Sequence, residues 1–132
     1  MILVDTSVWI EMFAGRVRPR PEDFLGMATC GPIIQEVVQG LRPGSQTQLI
    51  RWQLLGLPRL GDPVTVEISL EAADLYAASR RRGITIRSSV DCLIASIAIR
   101  HKTPVWHLER NFDRIATFTE LETWSPDPGG LV

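Results

Sequence analysis

The stretch MILVDTSVWI, residues 1–10, decides the fold. Met1 to Val4 is an apolar run without alternation, the pattern of a strand buried on both faces, and Asp5, Thr6 and Ser7 end it abruptly. Ser7 to Phe13 then reads as a helix. A strand that passes directly into a helix is the start of a βα unit, and in parallel α/β sheets ligands bind in the crevice beyond the carboxyl ends of the strands. Asp5 stands at that position. Two readings of it stay open from the residues alone: a carboxylate at the mouth of a site, or the N-cap of the helix, since Asp, Thr and Ser are preferred caps.

The rest of the chain repeats the pattern. Arg16, Arg18 and Arg20 stand in a Pro-containing basic loop before a short helix near residues 22–27. Ala28 to Cys30 reads as a short strand, and Gly31 and Pro32 as N-cap and first turn of the helix IIQEVVQG, which Gly40 closes. In that helix Ile33, Ile34, Val37 and Val38 form the apolar face, which puts Glu36 on the other side, by default in solvent. Residues 45–57 form a helix whose Leu49, Ile50, Trp52, Leu54, Leu55 and Leu57 exceed one apolar stripe, so it either meets a partner or is wedged into the core. Val64 to Ile68 reads as a strand, with Ser69 capping a helix that runs to Gly83 and ends in Arg80, Arg81 and Arg82, cations suited to a helix C-terminus.

After an extended connector over 84–87 comes a core helix, SSVDCLIASIAIRHK, in which Ser88 and Asp91 match a capping box. His101 and His107 read as packing residues. Val105 to Leu108 is a last buried strand with Glu109, Arg110, Asn111 and Asp113 immediately beyond it, and Leu121 to Trp124 an edge strand. Alternating strands and helices imply right-handed βα crossovers and parallel strands whose carboxyl ends share one edge. Asp5, Asp91 and Glu109 can then meet. Clustered carboxylates repel unless a cation neutralises them, and Mg²⁺ or Mn²⁺, which choose oxygen ligands, suit phosphodiester hydrolysis.

The composition sets outer limits. A chain of 132 residues, 45% hydrophobic and 22% charged, is one globular domain over 1–124 with a Pro- and Gly-rich flexible tail over 125–132. Fourteen basic and fifteen acidic residues leave a charge of −1, so any grip on nucleic acid must be local. Cys30 and Cys92 lack metal-ligand spacing and read as core thiols of a reducing compartment. The N-terminus is not a signal peptide and no segment reaches membrane-spanning length, which points to a cytoplasmic protein with no membrane contact.

Four stretches taken in order, MILVDTSVWIE, PIIQEVVQG, RSSVDCLIASIAIRH and HLERNFDRIA, resemble the successive signatures of PIN-domain ribonucleases, in particular VapC-type toxins of bacterial toxin–antitoxin systems. The resemblance implies a three-layer α/β/α sandwich with a central, mainly parallel sheet. It also implies a Mg²⁺- or Mn²⁺-dependent endoribonuclease, commonly homodimeric and silenced by a VapB-type antitoxin. Asp5, Glu36 and Asp91 match the family's first three acidic positions, and Thr6 the hydroxyl residue beside the first. The fourth departs: where the family usually reads Asp-x-Asp-Phe, this chain has Glu109-Arg110-Asn111-Phe112. Glu109 is expected to fill that position, with Asp5 and Asp91, as a metal ligand. Asn111 is left as a substrate or supporting contact. Arg16, Arg18, Arg20 and Arg87 are the expected phosphate contacts, and the face of Trp9, Met12 and Phe13 and the helix of residues 45–57 the expected protein contacts. Two other classes compete. A receiver-like phosphoacceptor would want adjacent acids and a strand-end lysine, whereas the chain's one lysine, Lys102, ends a helix. A PIN-fold interaction module with weakened catalysis fits the loss of charge at Asn111.

Overall fold

The computed structural model describes residues 1–44 and 46–126. Strand β1 (Ile2–Val4) leads straight into α1 (Thr6–Phe13), and a 3-10 turn (Pro21–Gly26) leads into β2 (Met27–Ala28). Helices α2 (Gly31–Gln39), α3 (Gln46–Leu55), α4 (Val66–Arg81) and α5 (Ser89–Arg100) follow, then β3 (Val105–Trp106), α6 (Arg110–Ala116) and β4 (Thr123–Trp124). The four strands pair in the order β2-β1-β3-β4, every neighbour parallel, with Leu3 beside both Ala28 and Val105. Helices flank this sheet as an α/β/α sandwich, the architecture expected from the sequence.

Short strands suffice here because the sheet is buried on both faces. Leu3, Val4, Val105 and Trp106 pack with Ile33 and Val37 of α2, Ile94 and Ile97 of α5, and Phe112 and Ile115 of α6. Cys30 and Cys92 lie in the same core as free thiols, as expected, with burial pushing them up to about 12 and about 11. The ladder runs on past β1, since Asp5 N–H donates to the Trp106 carbonyl at 2.9 Å. The two strand ends that carry the expected acids are therefore fixed side by side.

Several local expectations are corrected. No strand spans 64–68: Thr65 caps α4, its side chain accepting from Ile68 N–H, and Ile68, Ala72, Leu75 and Ser79 form one buried helical stripe. Val64 and Val66, which gave the strand signal, are exposed, so burial of the helical stripe overrides β-propensity. Ser69 lies in the first turn and its Oγ donates to the Thr65 carbonyl. Gly83 adopts φ +73 after α4, a conformation glycine reaches without strain. Cys30 rather than Gly31 is the N-cap of α2. Trp9 belongs to the core, 4% exposed with Nε1–H donating to the Val4 carbonyl, and so leaves the surface face proposed for it. His101 is exposed and its Nε2 accepts from Gly61 N–H, a helix-end contact instead of a packing one. His107 does pack, against the Phe112 ring. The expected tail lies outside the described residues from position 127 onward.

Candidate functional site

Because β1 stops at Val4, Asp5 takes the N-cap of α1, and its Oδ2 accepts from Ser7 N–H at 3.1 Å. The capping reading of Asp5 thus describes its geometry, and it does not exclude the other. The side chain is 3% exposed, Ser7 Oγ–H also donates to Oδ2 at 2.6 Å, and Oδ1 is buried with no hydrogen-bond partner. Burial raises the Asp5 carboxyl above its ordinary range, the Ser7 hydrogen bonds oppose that, and the Asp91 charge adds to it.

The other acids arrive from three further elements. Glu36, on α2, turns toward α1, where Thr6 Oγ1–H donates to its Oε1 at 2.9 Å. It is therefore not the free surface residue that helical periodicity suggests. Its carboxyl is raised chiefly by burial, opposed by Thr6, with Asp5 and Asp91 adding repulsion. Asp91 lies in the first turn of α5 and is 5% exposed. The expected capping box is absent: Ser88 is the N-cap but its side chain makes no cap bond, and Asp91 Oδ2 instead accepts from Asn111 Nδ2–H at 2.8 Å. Glu109, the residue after the turn from β3 and the N-cap of α6, is pushed up to about 8, first by burial and then by a hydrogen bond and repulsion from Asp91. Its Oε1 is the second buried carboxylate oxygen without a partner.

The structure accordingly brings Asp5, Glu36, Asp91 and Glu109 into one electrostatic neighbourhood at the carboxyl edge of the sheet, with Thr6 and Asn111 as their hydrogen-bond donors. Both residues in contention for the fourth position reach it. Glu109 brings the carboxylate, and Asn111 brings an amide that holds Asp91. Ser7, passed over in the sequence, lies at the centre: its Oγ also accepts from Leu108 N–H at 3.0 Å. Its place two residues after an acid that ends a strand is the spacing of an Asx-type turn, and was the signal available.

The basic residues divide. Arg16 pairs with Glu11 and Arg20 with Asp23 and Glu22, while Arg18 donates to the Gly15 carbonyl. Arg87 is exposed and lines a cavity of about 580 Å³ between α4 and α5, along with Tyr76, Ser89, Cys92 and Leu93. That cavity is the largest of those described, yet it does not contain the acids. Glu36 lines a neighbouring one of about 440 Å³ with Val90 and Leu93.

Among the described residues no three His, Cys, Asp or Glu side chains form a ready cation cage. The donor set nonetheless fits a hard divalent ion in kind: oxygen only, with buried unpartnered oxygens on Asp5 and Glu109 and mutual repulsion that a cation would relieve.

A wholly parallel sheet with carboxylates gathered at its carboxyl edge defines a small α/β protein of the PIN type. The chain belongs to the PIN-domain family, whose model matches residues 2–117. It is 37% identical over 133 residues to the VapC ribonuclease Mb1587 of Mycobacterium bovis and to ribonuclease VapC11 of Mycobacterium tuberculosis, covering 95% of this chain and 98% of each relative. Among solved structures it is similar in fold to DNA-bound VapBC from Salmonella typhimurium, at TM-score 0.71 and 14% identity over 93% of this chain and 96% of that one. VapBC-1 from nontypeable Haemophilus influenzae gives 0.69 and 16%, covering 94% and 97%.

Proposed function

We propose that this chain is a divalent-cation-dependent endoribonuclease acting as the toxin of a type II toxin–antitoxin pair, with Asp5, Asp91 and Glu109 holding Mg²⁺ or Mn²⁺. The ribonuclease and toxin assignments follow from its membership among VapC ribonucleases. The observation that supports the metal reading is the pair of buried, unpartnered carboxylate oxygens on Asp5 and Glu109 at adjoining strand ends. A bound ion would polarise the phosphoryl oxygen and acidify an attacking water.

The chain's own residues do the remainder. Thr6 Oγ1–H holds Glu36 by Oε1, and the carboxylate so held is the group that takes the proton from the attacking water. The raised carboxyl of Glu36 brings its basicity closer to neutral pH, where a general base works best. Asn111 fixes the Asp91 carboxylate through Oδ2. Arg87, exposed four residues before Asp91, is the phosphate contact of the four candidates, because Arg16 and Arg20 are engaged by their own acids and Arg18 by the Gly15 carbonyl.

The VapB-type antitoxin docks on α3, which exposes Leu49, Trp52 and Leu55 beside a groove also lined by Ile34, Val38 and Arg51. A second copy of the chain covers the exposed Val66 and Leu70 of α4. Among the described residues no helix is long and apolar enough to cross a membrane.

One observation favours the interaction-module reading: an amide, Asn111, donates to Asp91 where a second carboxylate would add charge. Incubation of total cellular RNA with the protein in Mn²⁺ or in chelator separates the two, with new 5′ ends mapped. Discrete metal-dependent ends that vanish in Asp5→Asn support the nuclease. Absence of cleavage, or cleavage unchanged in Asp5→Asn, overturns it.

A further inference from the structure

The hydroxyl of Ser7 touches two segments that are 101 residues apart in the chain. The direction of both bonds is fixed. An amide can only donate, so Leu108 N–H gives its proton to Ser7 Oγ at 3.0 Å, and the hydroxyl's own proton goes to Asp5 Oδ2 at 2.6 Å. Ser7 N–H donates to the same Oδ2 at 3.1 Å.

Two consequences follow. Both donors from Ser7 fall on one oxygen of Asp5, which aims the other, Oδ1, into the buried space where it has no partner. The same hydroxyl holds the backbone at Leu108, one residue before Glu109, whose Oε1 is the second buried oxygen without a partner. Trp106 is already tied to Asp5 by the ladder bond to its carbonyl, and Ser7 extends that tie beyond the end of the sheet.

We infer that Ser7 is a positioning residue that clips the loop after β3 to the Asp5 carboxylate, setting the separation and orientation of the two oxygens meant for the cation. The inference rests on the metal reading given above. Ser7 differs from Thr6 in this respect: Thr6 serves Glu36, while Ser7 serves the ligand pair. A hydroxyl is needed because the role demands one donor and one acceptor on a single atom. Threonine meets that demand, and there is room for its methyl, since Ser7 is only part-buried and borders an open surface pocket with Ile10, Glu11 and Leu108.

The test compares the native chain with Ser7→Ala and Ser7→Thr by Mn²⁺ titration calorimetry and by hydrogen exchange of the Leu108 amide. Loss of an outer-shell partner typically weakens metal binding roughly 10–100-fold, so Ser7→Ala should bind Mn²⁺ at least about tenfold more weakly. Its Leu108 amide should exchange faster, and Ser7→Thr should restore both. Native-like Mn²⁺ affinity in Ser7→Ala would overturn the clip and leave the metal reading standing. If the native chain takes up no Mn²⁺, the metal reading falls and the positioning role falls with it, whatever the Leu108 amide does; if the native chain binds Mn²⁺, unchanged Leu108 exchange in Ser7→Ala removes the clip.

Discussion

Three of the four acids in the crevice are matched to a named donor. Thr6 serves Glu36, Ser7 serves Asp5 and Asn111 serves Asp91, while Glu109 contacts Asp91 and is the most displaced. Glu36→Gln removes the proton acceptor and keeps the Thr6 contact, so turnover on RNA should fall by about 10²–10⁴-fold, with Mn²⁺ affinity little changed, as single-turnover rates and titration would show. Glu109 makes the cation-free protein sensitive to pH. Its carboxyl is raised from the usual 4.5 to about 8, so between those values the folded protein holds a proton that the unfolded chain has released. That contribution to stability is complete below about 4.5 and is lost as pH rises through about 8, and Asp5, also raised, acts in the same direction. In chelator, the melting temperature should drop across this interval and Glu109→Gln should flatten the profile. The sequence and its family resemblance single out the four acids, Thr6 and Asn111, but neither Ser7 nor what each side chain touches. Burial of Asp5 and the inward turn of Glu36 depend on packing that no local pattern encodes.

At the level of elements, legibility followed how strongly local signals agreed. The βα start at residues 1–13 was readable because an apolar run, an acid and two hydroxyls all mark one boundary, and β1 and α1 fall there. Residues 64–68 were not, because Val64, Val66 and Ile68 alternate as a strand would, while the cap at Thr65 and the stripe Ile68, Ala72, Leu75 and Ser79 point to a helix. The stripe prevails because it buries α4 against α5, and β-branched residues at a helix start cost little when exposed. Thr65→Ala should therefore lower stability by about 1 kcal/mol in denaturant unfolding. Were residues 64–68 a strand, removing the hydroxyl would leave stability unchanged. Ser88 failed as a capping box for a related reason: Asn111, distant in sequence, takes the Asp91 carboxylate that the box would have used.

For the whole molecule, near-neutral charge means that binding rests on local patches. The antitoxin face proposed on α3 should depend on Trp52, which is 69% exposed and so contributes little to the fold itself. Trp52→Ala should leave the melting temperature nearly unchanged and weaken the complex with the VapB-type antitoxin by about 2 kcal/mol or more, as calorimetry would show. An unchanged affinity would move the interface off α3. The proposed function requires the acids at the edge of the sheet to form one cation site. Thermal unfolding with and without Mn²⁺, for the native chain, Asp5→Asn and Asp91→Asn, tests it most directly. A ligand bound only to the folded state adds roughly 2.7 kcal/mol at a hundred times its dissociation constant. Mn²⁺ should raise the melting temperature of the native chain and not that of either variant, with Asp5→Asn more stable than the native chain in chelator. An equal rise in all three proteins would contradict a single cation site.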